Sequence, residues 1–441
     1  MLTRTRARRL SRKGEHNAAL KLSAGQDIEI LSRAGMHLSV LRKSDAPSIY
    51  RAIALAHAGM PEKALETGLH FRRHHLARNL LGRLATMIPE RVGGNLDTRP
   101  EWKYIDLYCK ARVSASDLLL KELPKIPPPL AVYIAQKVGE LNLAKTYFDK
   151  IFMDTELPVP TRCWNEYQLT IRSIYCDTDK SVIVKNGPLV SVVLTAHNEE
   201  AYLAIALRSL LQQSWRQLEI IVVDDGSTDQ TFEIARSFQN TDGRVRAYQL
   251  DKNVGIWAAK NYGIGKSTGE YVTMHDADDW SHPYKIAEQM KPLLADKAIA
   301  CSSSHFLRVD ENTGQLFSRN ADNFLRWNPS SLLFRTHLAD KLGKFHAIGL
   351  GNDCEFVARI ENRFGFKSHS RIRKPLSVGL WRKDGLSNKF REGNKALERL
   401  EHWEDWRMEH MAPGTNYQKC NWYDFAEKLA RRLSLKFIRG T

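Results

Sequence analysis

The sequence predicts an α/β domain with a mostly parallel, Rossmann-like sheet, preceded by an all-α region and followed by a helical tail. Between Leu189 and Trp280, short apolar runs alternate with helical patterns, which is typical of βαβ units. From about Ala18 to Met153, apolar residues recur at three- and four-residue spacing with few strand signals. The 441 residues are enough for two or three domains with sizeable cores.

The first βαβ unit begins with the apolar run from Leu189 to Leu194. This run is too short for a helix and too continuous for a half-exposed strand, so it predicts a buried parallel strand. The helical pattern AYLAIALRSLL follows it, and a second apolar strand, LEIIVVDD, ends in Asp224 and Asp225. A third strand, within GEYVTMHDADDW, ends in further aspartates.

These strand ends predict a ligand site. Ligands of open parallel sheets bind beyond the carboxyl ends of the strands, where Thr195, Asp224 and Asp225 would share one crevice with Asp276 and Asp278. Clustered carboxylates repel one another and lose solvation, which favours a cation among them. Oxygen ligands alone favour Mn²⁺ or Mg²⁺ over zinc, and such an ion keeps positions open for diphosphate oxygens.

Four segments of the chain resemble the family 2 glycosyltransferases of the GT-A fold. They are, in the order typical of the family, VVLTAHNEE, VVDDGSTD, the NVG and AAKNYGI segment, and HDADDW. The resemblance covers roughly Pro188 to Asn388. It implies inverting, metal-dependent transfer of a sugar from a nucleoside diphosphate donor, with UDP as the expected nucleotide. The implied acceptor is a hydroxyl of a glycan or glycolipid, in the synthesis of a bacterial surface polysaccharide or glycolipid.

The resemblance also assigns roles to single residues. The expected donor-binding residues are Thr195, Asp224, Asp225, Asn253, Lys260 and Asp276, and the expected metal ligands are Asp278 and Asp276. Arg is common in the family where this chain has Lys260, and Lys lacks the bidentate fork, so direct phosphate contact by Lys260 stays open. A helix cap at Ser227 or Thr228 would leave the preceding carboxylates free.

The catalytic base of the family lies in a Glu-Asp pair that opens a helix, and here the pair reads Asn352-Asp353. Asp353 is therefore the expected base, with a helix N-cap as its alternative role. The rival pair Glu404-Asp405 stands in ERLEHWEDWRMEH, where solvated faces are expected. Asp384 takes the place of a family histidine that sometimes binds the metal, so a third protein ligand stays open. The string NFLRW imitates a motif of processive synthases and is read as chance.

We expect five segments: a basic arm (1–17), a helical region (18–155), a linker (156–187), the glycosyltransferase domain (188–395) and an amphipathic basic tail (396–441). The helical region holds two separate patterns of the tetratricopeptide type, SIYRAIALAHAGMPEKALETGLHF and AVYIAQKVGELNLAKTYFDKIF. The six cysteines lie far apart without a CxxC or His pairing, which predicts neither a zinc site nor a disulfide framework.

The net charge of +16 suggests an anionic partner. Nucleic acid is not expected, because the chain has no RRM signature, zinc finger or basic region joined to heptads. The arginines of the basic arm and the helix predicted from Trp422 to Phe437 favour an anionic membrane surface, with packing on the chain's own domain as the alternative. Without a spanning run or a secretory h-region, the expected location is the cytoplasm or the inner face of the membrane.

Two other functions remain open from the residues alone. One is a helical-repeat scaffold that carries an inactive sugar-nucleotide-binding domain, against which the intact acidic motifs count. The other is nucleotidyl transfer, which uses similar sheets and acidic metal sites. No Gly-rich triphosphate loop follows the first strand, which argues against that second alternative.

Overall fold

The computed structural model describes residues 2–12, 19, 23, 27–34, 36–43, 46–161, 163–165, 168–172, 174–179, 182–347, 351–383, 385 and 394–411. Asp384 and the segment from Trp422 to Phe437 lie outside these residues. In the part of the chain that is described, no helix combines the length and the apolar character needed to cross a bilayer.

The described part of the first 155 residues is helical, as predicted. Its α-helices are α1 (Leu2–Arg12), α2 (Ile28–Arg33), α3 (His37–Lys43), α4 (Ile49–His57), α5 (Pro61–Leu69), α6 (Ala77–Ala85), α7 (Pro89–Gly93), α8 (Lys103–Val113), α9 (Pro128–Val138) and α10 (Leu141–Met153). Two 3₁₀ helices, Pro100–Trp102 and Asp117–Lys125, connect them. The pairs α4–α5 and α9–α10 confirm both predicted helix-turn-helix patterns.

The α/β domain is built on one mixed sheet. Its strands are β1 (Val190–Ala196), β2 (Leu218–Asp224), β3 (Val245–Gln249), β4 (Tyr271–Asp276), β5 (Asp279–Ser281), β6 (Cys301–Asp310), β7 (Leu316–Phe317), β8 (Arg326–Arg335) and β9 (His369–Trp381). The strand order is β3-β2-β1-β4-β8-β6-β9-β5, and β7 pairs with β6. The run from β3 to β4 is parallel, whereas β8 is antiparallel to β4 and β6, and β5 to β9. The predicted parallel strands are confirmed.

Helices cover both faces of the parallel run, which explains why β1 and β2 are mostly apolar and are buried throughout. The domain helices are α11 (Leu203–Leu211), α12 (Thr231–Thr241), α13 (Ile256–Lys266), α14 (Lys285–Ala295), α15 (His337–Leu342), α16 (Asn352–Phe364) and α17 (Asn394–Met411). Leucines of α11 share a core with β1, β2 and β4. Each fully buried Leu or Val contributes roughly 1.5–3 kcal/mol to this packing.

The helical region and the far half of the sheet share one hydrophobic core. The rings of Tyr108 and Tyr133 stack at 4.8 Å, and Phe324, just before β8, lies 5.3 Å from Tyr133. Val378 of β9 belongs to the same cluster. The connection expected as a linker (156–187) is packed into this core through buried residues that include Cys163, Ile171 and Cys176. The helical region therefore docks firmly on the sheet rather than hanging from an exposed connection.

Both ends of the described chain dock on the helical region. Ala7 of α1 is buried, and Arg8 Nε lies 2.8 Å from Asp27 Oδ2, so part of the basic arm is committed to packing. In α17, Glu404 is 6% exposed and accepts hydrogen bonds from the backbone N and the Oγ of Ser39 on α3. The solvated face expected around Glu404 and Asp405 is wrong at Glu404, because α17 turns this side towards α3.

Candidate active site

The carboxyl ends of β1, β2 and β4 form the edge at which the predicted residues meet. In the sheet register, Thr195 of β1 stands opposite Asp276 of β4, and Ala196 stands opposite Asp224 of β2. Three of the predicted donor-side residues thus lie within the last two positions of three neighbouring strands. Because β1, β2 and β4 are parallel, the residues at their carboxyl ends lie along the same edge of the sheet.

The loops after β1 and β2 are locked to each other by side-chain hydrogen bonds. Asn198, at φ +55°, accepts from Thr228 N at 2.9 Å, and Glu200 Oε2 accepts from Gln230 N at 3.0 Å. Asp229 Oδ1 accepts from Thr231 N at 3.0 Å, and α12 begins at Thr231. The cap expected at Ser227 or Thr228 is therefore wrong, and the acidic and amide side chains of HNEE and STD hold the two loops together.

The paired aspartates are not free, contrary to expectation. Asp225 accepts from the backbone N of Val254 at 2.7 Å and of Gly255 at 2.9 Å, so it positions the loop that carries Asn253. Gly226, at φ +67°, permits this approach, because a Cβ there would lie 2.5 Å from the backbone of Lys252. Asn253 itself is exposed, and its Oδ1 accepts from Gly255 N.

Asp224 is also buried and hydrogen-bonded. Its Oδ1 accepts from Ser227 N at 3.3 Å and its Oδ2 from the side-chain amide of Gln249 at 3.1 Å. Thr195 differs from its neighbours. It is 7% exposed, and its buried Oγ1 has no hydrogen-bond partner in the described part of the chain. Buried hydroxyls normally have partners, so this oxygen is a candidate contact for a ligand.

Lys260 is buried against Asp276. Its side chain is 1% exposed, Nζ lies 2.9 Å from Asp276 Oδ1, and the ammonium sits 5.0 Å from the centre of the Trp257 ring. Burial opposes ionisation of Asp276, but the Lys260 charge and hydrogen bond outweigh it and lower the pKa of this carboxyl. Lys260 therefore keeps Asp276 ionised. Its contact with the site is this ion pair with Asp276.

Asp278 pairs with an arginine that the motif analysis did not single out. Arg382, at the end of β9, places Nη2 3.0 Å from Asp278 Oδ2 and also binds Glu199 through Nη1 at 3.1 Å. Burial raises the pKa of Asp278 despite Arg382, and burial raises the pKa of Glu199 to about 7. Arg382 stands two positions before Asp384, the possible third metal ligand, in the string LWRKDGLS. This closeness in sequence was the signal that could have indicated its role.

The aspartates at this edge fit a divalent ion whose remaining ligands would be oxygens of the substrate. Among the described residues, no group of three or more His, Cys, Asp or Glu side chains forms a ready metal cage. Burial and the charges of Asp278 and Asp276 raise the pKa of Asp279 well above its usual range, so the three carboxylates repel one another. An all-oxygen set of one or two carboxylates plus diphosphate is what Mg²⁺ or Mn²⁺ prefers.

Asp353 is linked to β8 of the sheet by a hydrogen bond from Ser330. The N-cap of α16 is Gly351, so the cap role considered for Asp353 is wrong. Its Oδ1 accepts from Cys354 N at 2.8 Å and its Oδ2 from Ser330 Oγ at 3.2 Å. Ser330 also lowers the pKa of Asp276, so its hydroxyl lies near both carboxylates. Burial raises the pKa of Asp353, with Lys260 opposing it.

The residues around Asp353 anchor α17. Asn352, where the family usually has Glu, is buried, and its Oδ1 lies 3.0 Å from His402 Nε2. Glu355 is fully buried between Arg359 at 2.6 Å and His410 at 2.7 Å. Burial opposes ionisation of Glu355, but Arg359 lowers its pKa nonetheless. These contacts make Glu355 a structural residue and leave Asp353 as the carboxylate that is linked to Ser330.

The sheet order and this acidic edge define a GT-A-type α/β domain. Residues 191–350 match the family model described as glycosyl transferase family 2.

The chain is similar to glycosyltransferase GlyG of Streptococcus pneumoniae, with 35% identity over 129 residues, which is 29% of this chain and 42% of the relative. An uncharacterized glycosyltransferase of Haemophilus influenzae is 36% identical over 114 residues, 26% of this chain and 46% of the relative. GlyA of S. pneumoniae is 41% identical over 128 residues, 29% of this chain and 18% of the relative. The chain thus spans less than half of the length of each of these relatives.

Solved structures show a weaker likeness. The mannosyltransferase PcManGT from Pyrobaculum calidifontis, in complex with GDP-Man and Mn²⁺, has a TM-score of 0.35 at 18% identity, over 58% of this chain and 77% of that one. GalNAc-T7 with UDP, GalNAc and Mn²⁺ has a TM-score of 0.42 at 16% identity, over 61% of this chain and 60% of that one. At these TM-scores, neither likeness defines the donor or the metal of this chain.

Proposed function

We propose that the chain is an inverting glycosyltransferase that moves a sugar from a nucleoside diphosphate, with UDP as the expected nucleotide, to an acceptor hydroxyl. One observation carries this proposal: Thr195, Asp224 and Asp276 lie at the carboxyl ends of three neighbouring strands, and Ser330, which lies near Asp276, donates a hydrogen bond to Asp353. The match of residues 191–350 to the glycosyl transferase family 2 model supports it. The acceptor we propose is a glycan or glycolipid of a bacterial surface polymer.

Asp353 would remove the proton from the acceptor hydroxyl. The acceptor oxygen attacks the anomeric carbon while the bond from that carbon to the diphosphate oxygen breaks, and one displacement inverts the configuration. Burial raises the pKa of Asp353, which makes its carboxylate a stronger base than a solvated one. The proton ends on Asp353, and the electron pair leaves with the nucleoside diphosphate.

On the donor side, the unpartnered Thr195 hydroxyl and Asp224 would bind the base and ribose. Asp276, kept ionised by Lys260, and Asp278 would hold Mn²⁺ or Mg²⁺. Such an ion, when bound, neutralises charge on the leaving diphosphate, which then needs no protonation. Arg382 holds one oxygen of Asp278 and so competes with the ion for that carboxylate.

A reversible contact with an anionic membrane is a second part of the proposal. The net charge of +16 supports it, and so do the exposed Arg6 and Arg9 of α1, although Arg8 is paired with Asp27. Flotation with anionic liposomes at low salt should carry the full-length chain upward and should fail at high salt. A chain that stays in solution under both conditions would contradict the membrane contact.

The transferase proposal is tested by incubating the protein with a panel of nucleotide sugars, manganese and candidate acceptors, and by measuring released nucleoside diphosphate. We expect release from one class of donor, lost in Asp278→Asn and retained in Asp251→Asn, which removes an exposed acid of the same type. Release of pyrophosphate would indicate nucleotidyl transfer. Metal-dependent donor binding without any turnover would indicate an inactive binding domain.

A further inference from the structure

Four arginines from distant parts of the chain are linked by electrostatic interactions, and one of them, Arg399, is within range of the candidate base. Arg83 lies on α6 of the helical region, Arg308 on β6, Arg326 at the start of β8 and Arg399 on α17. Arg83 is within electrostatic range of Arg326 and Arg399, Arg326 is within range of Arg308, and Arg399 is within range of Asp353. We call these four residues the arginine cluster.

The sheet register places two members of the cluster on the face that carries the acidic residues. Arg326 stands opposite Phe306 on β6, and Arg308 follows two residues later, so both side chains share a face. Arg308 stands opposite Gly379 of β9, which in turn stands opposite Asp279 of β5. A Cβ at Gly379 would lie 2.5 Å from Asp279 Oδ1, so glycine lets the carboxylate lie over this strand.

Docked elements deliver the other two members. Helix α6 is fixed to the segment before β8, because Ala321 N donates to Gly82 O at 2.9 Å and Arg78 Nε lies 2.7 Å from Asp322 Oδ2. Helix α17 is held in place by the hydrogen bond that Glu404 accepts from Ser39 and by the contact between His402 and Asn352. Arg83 and Arg399 are thus brought to the pocket by packed helices rather than by exposed chain ends.

No member of the cluster has an ion-pair partner in the part of the chain that is described, although Asp278 and Asp279 lie within electrostatic range of Arg308 and Asp353 lies within range of Arg399. None of its guanidinium groups forms an ion pair or a hydrogen bond to a described residue, and the Nε atoms of Arg83 and Arg308 are buried without partners. Burial followed by the neighbouring arginines lowers the pKa of Arg83 to about 10 and also lowers the pKa of Arg326. Unpaired like charges at partly buried positions are costly, and a bound anion would offset that cost.

We propose that the arginine cluster binds an oxyanion group, a phosphate or a carboxylate, of the acceptor substrate. Guanidinium groups match both anions with paired N–H donors. Arg399 of the cluster is within electrostatic range of Asp353, which would take the acceptor proton, whereas Asp276 and Asp278 on the donor side pair with Lys260 and Arg382. This inference rests on the proposed function and narrows it, because the acceptor becomes an anionic glycan or glycolipid.

The site is tested first without catalysis, by titrating inorganic phosphate into the metal-free, full-length protein at constant ionic strength. We expect wild type and Arg236→Gln, which removes an exposed arginine of α12, to bind alike. Arg326→Gln and Arg399→Gln should each bind about tenfold more weakly, the usual loss for one charge-assisted hydrogen bond. Without phosphate their melting temperatures should not fall, because repulsion is relieved. Equal affinity in all four proteins, or no binding to wild type, would overturn the proposal.

Acceptor kinetics then separate the substrate from free phosphate. With a phosphorylated or carboxylated acceptor, Arg326→Gln should raise the acceptor KM about tenfold and leave the donor KM and acceptor-independent donor hydrolysis unchanged. With the neutral form of the same acceptor, the variant and wild type should not differ. A raised donor KM instead would assign the arginines to the donor diphosphate and overturn the proposal. If wild type turns over no donor, the proposed function fails, while the phosphate titration still decides whether the site exists.

Discussion

The donor half and the acceptor half of the candidate site differ in how their buried charges are neutralised. On the donor side, Asp276 has Lys260 at 2.9 Å, Asp278 has Arg382 at 3.0 Å, and Asp225 has two backbone amides. On the acceptor side, Asp353 has only neutral donors within hydrogen-bond distance among the described residues. The arginine cluster beside it has no ion pair within the same part of the chain.

This difference predicts how substrate binding changes the charge balance of each half of the site. A carboxylate that is already neutralised by a lysine or an arginine is held in place before the donor arrives, and the donor must then exchange one of these partners. A group of arginines without ion-pair partners is neutralised only when an anion binds. The comparison therefore predicts a preorganised donor half and an acceptor half that is stabilised by its ligand.

The largest effect is expected from Asp278→Asn, which tests whether the donor half depends on a cation. Because Asp278 and the diphosphate would share the ion, we expect measurable transfer to disappear and donor binding to lose its metal dependence. Calorimetry of UDP binding with and without Mn²⁺ measures this, with Asp251→Asn as the control. Unchanged, metal-dependent affinity in Asp278→Asn would remove this residue from the ion site.

Asp353→Asn should come next, because it removes the proposed base from the acceptor half and leaves the donor half intact. We expect turnover to fall by roughly 10²–10⁴ fold, the usual range for a general base, while donor affinity and slow donor hydrolysis persist. Single-turnover kinetics at saturating donor and acceptor measure the loss. Comparable turnover in wild type and variant would reject Asp353 as the base.

Arg382→Gln tests whether the internal ion pair competes with the metal. Removing the arginine frees an oxygen of Asp278, so Mn²⁺ affinity without nucleotide should rise about tenfold, as expected for the loss of a charge-assisted contact. Without metal, the protein should lose about 2 kcal/mol of unfolding free energy, because Asp278 and Glu199 then face each other unneutralised. Weaker Mn²⁺ binding would instead make Arg382 a support of the ion site.

The smallest effect concerns α17, where Asp405 is a purely structural acid in our interpretation. Burial, followed by Glu401 and Glu404, raises the pKa of Asp405 from 3.8 to about 7. Between these values the folded chain holds a proton that the unfolded chain releases, so the free energy of unfolding falls as the pH rises from about 4 to 7. Asp405→Asn should flatten this window and stabilise the protein at pH 8 by about 1 kcal/mol, after discounting for its partial exposure.

Thermal unfolding between pH 4 and 8 measures the Asp405 effect. Glu398→Gln, which removes an exposed acid of the same helix, should leave the slope unchanged. Transfer activity should be equal in wild type and Asp405→Asn. Lost transfer in the variant would return the Glu404-Asp405 pair to consideration as catalytic.

The sequence by itself determined the parallel strands and the residues at their ends. Runs such as Val190–Ala196 and Leu218–Asp224 are mostly apolar, which predicts burial on both faces and a parallel arrangement. Once the strands are parallel, Thr195, Asp224 and Asp276 must share an edge, so the donor half follows from short segments of chain. The family motifs are readable for the same reason, since each is a local stretch.

Only the tertiary structure decided which partner each charge has. Lys260 reaches Asp276 across 16 positions, Arg382 reaches Glu199 across 183, and Glu404 reaches Ser39 across 365. Local periodicity carries no information about such separations, which explains the wrong expectations for the free aspartates and the solvated face of α17. The arginine cluster is the extreme case, because its four members come from the helical region, two strands and the last described helix, and only packing brings them together.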